Sequence, residues 1–302
     1  MKTLLLRSLC IAGALGFAAS AGSAKPIQEK RPVDEDVLVT VKNVNGTVTI
    51  EGWNEKQLEV TGTLSGDIED VEISGSSSRM TIEVQFPRHT RHSSGEADLD
   101  IKVPVGAGVR VEVVNCPISI SKLRGDLELE AVNGDIAIAG EPARIEAQTV
   151  NGKIEIDASC AHVDAQTVGG RIVIRGAQGD LTAATVGGRI QVTGGKFERV
   201  RLSSVSGTID FGGELAGKAT FEGESHAGDI VLHLPDGVSA DFDVSTFSGD
   251  IDNDFGPTGA RREYGPGREL TFSTGDGDAR VRLSTFSGDV QLTKKAQAES
   301  ER

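Results

Sequence analysis

The chain has 302 residues and a formal charge of −14, with 38 glycines and only 4% aromatic residues. An acidic balance of this size repels nucleic acid and anionic lipid at long range, which sets nucleic-acid binding aside. So few aromatics argue against a wide core and suit a narrow one filled with Val, Ile, Leu and Ala.

Residues 1–24 read as a signal peptide to be cleaved. Lys2 and Arg7 supply the positive start, an apolar run from Leu9 to Ala19 follows, and small residues end at Gly22-Ser23-Ala24. Ala19-Ser20-Ala21 is a competing cleavage site. Cys10 lies too early for lipid attachment. No later stretch approaches the roughly 20 apolar residues that span a bilayer. The expected mature chain is exported to a periplasm or cell surface, without a membrane span. Losing Lys2 and Arg7 takes its formal charge to −16.

Residues 25–36 read as a linker, and residues 37–105 as an irregular β capping region. Within the cap, Val44-Asn45-Gly46-Thr47-Val48-Thr49-Ile50 is an outlying copy of the repeat described below. The polar loop from Pro87 to Glu96 carries His89 and His92, weak metal candidates together with Glu96 or Asp98. A structural zinc site needs four converging ligands on a scaffold. No periodic segment fixes the spacing here, so solvated loop histidines are the plainer reading.

Residues 106–293 are expected to form the regular part. The cores VVNCPISI, AVNGDIAI, TVNGKIEI, TVGGRIVI and TVGGRIQV place Cys116, Gly134, Gly152, Gly170 and Gly188 eighteen residues apart, and SVSGTIDF places Gly207 after nineteen. A unit this short cannot bury its own apolar face, but stacked copies can. Around Asn133-Gly134, Leu127 and Leu129 alternate with Glu128 and Glu130, and Ile136 and Ile138 alternate with Asp135 and Ala137. Period-2 alternation on both sides of a turn predicts two short strands per coil, each with one face buried. The predicted fold is all-β: a single-stranded β-solenoid, or β-helix, of roughly 18–21-residue coils. An antiparallel sandwich is the competitor, since Asn-Gly also marks hairpins, but it gives no reason for one turn residue to recur at a constant interval. Asn115, Asn133 and Asn151 are expected to stack as a hydrogen-bonded ladder. Gly134, Gly152, Gly170, Gly188 and Gly207 form the turn column, where the first four are expected to use positive φ. Val132, Val150, Val168, Val186 and Val205, just before the turn, are expected to plug the corner.

Farther along, Gly207, Gly228 and Gly249 are 21 apart, which predicts wider coils, and Phe247 and Phe286 replace the corner valine. The Gly/Pro-rich stretch from Pro257 to Gly267 interrupts the period. Asp250, Asp252 and Asp254 alternate and are weak calcium candidates. The EF-hand pattern fails there, since Phe255 and Arg261 stand where Gly and Glu are needed. Residues 294–302 read as a charged, disordered tail.

The chemistry looked for is mostly missing from the sequence. Cys116 and Cys160 occupy different phases of the coil, which places them poorly for a disulfide. No phosphate-binding loop, nucleophile elbow or His-Glu-x-x-His occurs. No catalytic residue and no cofactor are assigned. Lys153, Arg171 and Arg189 share one position in three successive coils. They form a candidate stripe for a polyanion or a partner, unless salt bridging to neighbours such as Asp135 and Glu155 explains them.

The segments LDIKVPVGAGVRVE at 99–112, VNGDIAI at 132–138, VNGKIEI at 150–156, LHLPDGVSADFDVSTFSGDI at 232–251 and LSTFSGDV at 283–290 carry a family likeness. Over roughly residues 37–293 the chain resembles the bacterial putative-adhesin family of unknown function built from β-strand repeats (domain-of-unknown-function family 4097). It departs from that pattern at Val168-Gly169-Gly170-Arg171, Val186-Gly187-Gly188-Arg189 and Cys116-Pro117. The resemblance implies an exported β-helical domain and brings no catalytic residue. The expected function is an exported, non-catalytic scaffold or adhesin-like binding module of the cell envelope, with an envelope protein or polysaccharide as partner. A carbohydrate-acting β-helical enzyme and a weak calcium- or polyanion-binding surface protein are the alternatives.

Overall fold

The computed structural model of the protein describes residues 24–86, 95–261 and 267–295. Residues 1–23 of the expected signal peptide, His89 and His92, and the residues beyond 295 lie outside them. Among the described residues there are strands and turns and no helix. The chain winds into a β-solenoid whose coils each give one strand to each of two ladders.

The alternation sets the core. Leu127, Leu129, Ile136 and Ile138 are each at most 2% exposed. Ile145 and Ala147 stack on Leu127 and Leu129, and Ile154 and Ile156 stack on Ile136 and Ile138, in parallel register. The register runs without a slip through Ile172, Ile174, Leu181 and Ala183 to Ile190 and Val192. Each fully buried large aliphatic contributes about 1.5–3 kcal/mol, so stability accumulates coil by coil. Where the coils lengthen, the interior takes aromatic rings. Phe197, Phe211 and Phe221 are fully buried, with centroids 5.5 and 4.9 Å apart in tilted and edge-on packing.

At both ends the coils leave chain order. The first coil, Leu38–Trp53, lies between the strands Arg79–Gln85 and Glu96–Pro104 on one side and Gly108–Asn115 and Ile118–Leu123 on the other. The last coil, Ala279–Ser287 with Val290–Lys294, is likewise inserted between Ile209–Ser225 with Ile230–Leu234 and Ala240–Ser248 with Ile251–Asn253. Antiparallel strands then cover much of the outermost edges: Asp70–Ser76 and Lys25–Pro32 at one end, Arg268–Thr274 at the other. Such covering blunts the unpaired N–H and C=O rows that an open solenoid would present.

Two expectations change accordingly. Residues 25–36 are not a plain linker, because Lys25–Pro32 pairs antiparallel with Gln57–Ser65 over its whole length. The region 37–105 is not an irregular cap apart from the solenoid. Its strand Leu38–Trp53 is a full coil in parallel register with the next, and the capping role falls to its antiparallel strands.

Candidate functional site

One corner of the solenoid is built from the repeated Thr-Val-Asn/Gly-Gly. In the strand Arg144–Thr149 and its sequel, Ile145, Ala147 and Thr149 face in, so Val150 must face out. Here period beats residue type. The valines do not plug the corner: Val132, Val150, Val168, Val186 and Val205 are 40–48% exposed, and Val44 and Val114 are 37% exposed.

The buried threonines answer the backbone instead. Thr149 Oγ1 donates to Gly134 O at 3.2 Å and Thr167 Oγ1 to Gly152 O at 3.2 Å. Thr167 and Thr185, and Ser204 and Ser225 in later coils, accept the N–H groups of Gly170, Gly188, Gly207 and Gly228 in turn. Every buried polar group therefore has a purpose at this corner. The hydroxyl column was not singled out from the sequence, although Thr149, Thr167 and Thr185 recur with the same eighteen-residue period as the glycines.

The glycine column is required by close approach and not by positive φ, which none of its members adopts. A Cβ at Gly134, Gly152, Gly170, Gly188 or Gly207 would lie 1.5–2.0 Å from a carbonyl oxygen of the preceding coil. Beside it, Asn133 Nδ2 donates to Asn115 Oδ1 and Asn151 Nδ2 to Asn133 Oδ1, both at 2.9 Å, and Asn115 extends the ladder to Asn45 at 2.9 Å.

The exposed valines form a straight ridge. Alongside it runs a groove of about 850 Å³, bordered by Lys42, Glu112, Glu130, Gln148, Gln166, Ala184 and Ser203. Beyond Val205 the ridge continues as His226, Phe286 and Phe247, whose rings stack at 5.1 and 4.6 Å with interplanar angles of 8° and 7°. Since their faces meet one another, the rings offer edges to solvent, which suits apolar docking better than the flat stacking of a sugar. Across four successive coils the corner tetrapeptides with their preceding groove residue (148–152, 166–170, 184–188 and 203–207) contain no charged residue, in a chain that is 25% charged.

Lys153, Arg171 and Arg189 stand one coil apart on the far side of this corner, where the carbonyls of all three accept N–H groups from Ile136, Ile154 and Ile172. They are not equivalent. Lys153 N donates to Asp135 Oδ1 at 2.8 Å, and Lys153 Nζ pairs with Glu155 at 2.5 Å. Lys153 and then Arg175, 3.0 Å away, hold the Glu155 carboxyl below the usual carboxylate range. Arg171 and Arg189 are exposed and make no ion pair among the described residues. On the groove side, Glu146 and Asp164 have no cationic partner among the described residues; they accept from Gln148 at 3.1 Å and Gln166 at 3.0 Å.

The other candidates are not drawn together. Asp250 pairs with Arg268 at 2.6 Å and closes a column in which Asp250 N donates to Asp289 and Asp289 N to Asp229. Asp252 and Asp254 are exposed, and no three His, Cys, Asp or Glu side chains converge among the described residues. Cys116 and Cys160 are buried and unpaired. Burial pushes the Cys116 thiol up to about 12. A second, smaller groove of about 460 Å³ is bordered by Arg144 and Asp164 and by charges that pair with one another, Arg199 and His162 on Asp180 and Arg201 on Glu222.

A comparison with curated proteins finds no match. Among solved structures, a "putative lipid binding protein" from Parabacteroides distasonis ATCC 8503 is similar at 12% identity, over 91% of this chain and 98% of its own, with a TM-score of 0.49. A "putative adhesin" from Parabacteroides merdae ATCC 43184 is similar at 14% identity over 90% and 97%, with a TM-score of 0.45. A "putative cell adhesion protein" from Clostridium sporogenes ATCC 15579 is similar at 10% identity over 90% and 100%, with a TM-score of 0.28. The family model described as Toastrack DUF4097 matches residues 34–293. With that match spanning nearly the whole solenoid, the chain belongs to the Toastrack DUF4097 family.

Proposed function

We propose that this protein is an exported, non-catalytic interaction module of the bacterial cell envelope, which docks a macromolecule along its ridge-and-groove corner. The observation that carries the reading is the corner itself. Seven valines stand exposed in a row, with a groove beside them and no charge in the corner stretches of the four central coils. Exposed apolar side chains in a contiguous line, rimmed by charge, have the composition of a docking surface. The secretory pattern of the leader supports export.

The test is capture from envelope extracts by the wild-type chain and by a Val150→Glu/Val168→Glu variant. Both valines are about half exposed, so the variant should keep its circular dichroism spectrum and its melt. Loss of capture with fold retained is the expected result. Equal capture by both would remove the corner from consideration. Turnover of an acidic or neutral polysaccharide, abolished by removing a single carboxylate, would replace this reading with an enzymatic one.

A further inference from the structure

We infer that the partner on this corner is a second copy of the same chain, docked as a twofold dimer with the two solenoids parallel and in register. The inference rests on reading the corner as an interaction surface and names what fills it. Three observations decide the arrangement.

The first is shape. The ridge stands beside a groove, not within it, with the groove residue two positions before each valine (Gln166 before Val168). A twofold axis parallel to the ridge sets each copy's ridge over the other's groove. An axis perpendicular to the ridge sets ridge on ridge and leaves both grooves empty. Only the parallel dimer fills them.

Charge is the second. Two carboxylates of one mixed outer column, Glu146 and Asp164, lie four residues before the ridge, about 13 Å away at ~3.3 Å per residue. The groove column is about 6.6 Å from the ridge by the same measure. Seating one ridge in the partner's groove therefore brings the partner's carboxylate column to about 6.6 Å on the opposite side of the ridge. The column three residues after the valine stands on that same side, around the turn. Glu146 then faces Lys153 of the second copy, and Asp164 faces Arg171, each pair made twice by symmetry. Arg171 and Asp164 make no opposite-charge pair among the described residues. The perpendicular axis would instead set acid against acid and base against base. At these two rungs complementary charge favours the parallel register over the alternative docking, while one rung earlier Glu128, held by Arg110, faces Asp135.

The third is area. Ten rungs from Val44 to Phe247 at about 4.8 Å make a strip about 43 Å long. With a width of about 20 Å between the flanking columns, each copy offers roughly 860 Å². A stable interface takes about 800 Å² per partner.

Sedimentation equilibrium of the purified mature chain tests the inference, with folding of every variant checked by circular dichroism. The wild type should reach dimer mass below about 200 µM. Val168→Glu should weaken association by at least about tenfold. Asp164→Arg should weaken it about tenfold, and adding Arg171→Asp should restore it to within about threefold. In the parallel dimer a Val150→Cys chain cross-links to itself through a short bismaleimide, while Cys116 and Cys160 stay buried. A monomer at about 200 µM, a dimer indifferent to Val168→Glu, or Val150→Cys linking only to Val205→Cys would each overturn the inference. A monomer that still captures an envelope component through the corner leaves the interaction reading standing and removes only the second copy. Loss of both capture and dimer contradicts the reading of the corner itself.

Discussion

Two adjacent glycines should respond in opposite ways to the same methyl group. At Gly170 a Cβ would sit 1.7 Å from Gly152 O and 2.6 Å from its carbon, both rigid backbone of the preceding coil. To reach ordinary contact the coils must part at this corner by roughly 1.5 Å. Three hydrogen bonds cross that gap: Gly169 N to Val150 O at 2.9 Å, Ile154 N to Arg171 O at 2.9 Å, and Thr167 Oγ1 to Gly152 O at 3.2 Å. Lengthened by that much, they leave the range of effective bonding. At about 1 kcal/mol for each, Gly170→Ala should cost about 2–4 kcal/mol. At Gly169 the nearest atoms are Asn151 Oδ1 at 3.3 Å and Val150 O at 3.7 Å, and φ is not in the left-handed region. A methyl group fits there with a small shift of one amide, and the unfolded chain loses freedom, so Gly169→Ala should be neutral or stabilising by up to about 1 kcal/mol. Urea melts followed by far-UV circular dichroism read the difference. Losses within about 0.5 kcal/mol of each other would refute close coil approach as the reason for the glycine column.

Further expectations follow the same geometry. Ile154→Asp places a charge where exposure is 0% and should cost several kcal/mol, whereas Asp157→Lys on the outer face should stay within about 0.5 kcal/mol in the same melts. Thr167→Val keeps the volume but strips Gly152 O and Gly170 N of their hydroxyl partner, and should destabilise by about 2 kcal/mol, with Thr167→Ser close to wild type. Because the folded chain holds the Cys116 thiol protonated up to about 12, unfolding releases a proton at alkaline pH. Stability should therefore be undiminished by this group below pH ~9 and decline as pH climbs toward 12, and Cys116→Ala should flatten that decline in pH-dependent melts. A decline that is as steep in the variant would assign it elsewhere.

Much of the fold was legible because the repeat is short and its two periods do not compete. Leu127, Ile136 and their counterparts alternate cleanly, so the inward set could be written down before any coordinates. The asparagine ladder was legible for the same reason, since stacking in register brings like onto like. Interleaving at the ends was not legible. Spacing along the chain says that coils stack but not in which order, and the near-identity of TFSGDIDN and TFSGDVQL reflects neighbours separated by an antiparallel excursion. The ridge was misread for a definite reason. Valine before a turn looks like a plug, but Thr149, Thr167 and Thr185 already take the inward place, and alternation forces the valines out. The unpaired charges flanking the corner need three dimensions, because Arg171 and Lys153 look alike in sequence and only Lys153 finds Glu155.

If this corner meets the partner, a photo-reactive residue placed singly along two columns of the same coils will separate it from the other faces. One column is the ridge, at positions 132, 150, 168 and 186; the other is the outer face of the second ladder, at positions 137, 155 and 191. Irradiation in intact cells should give adducts of constant size along the ridge and none along the second column. Adducts spread evenly over both columns, or found only on the second, would contradict it.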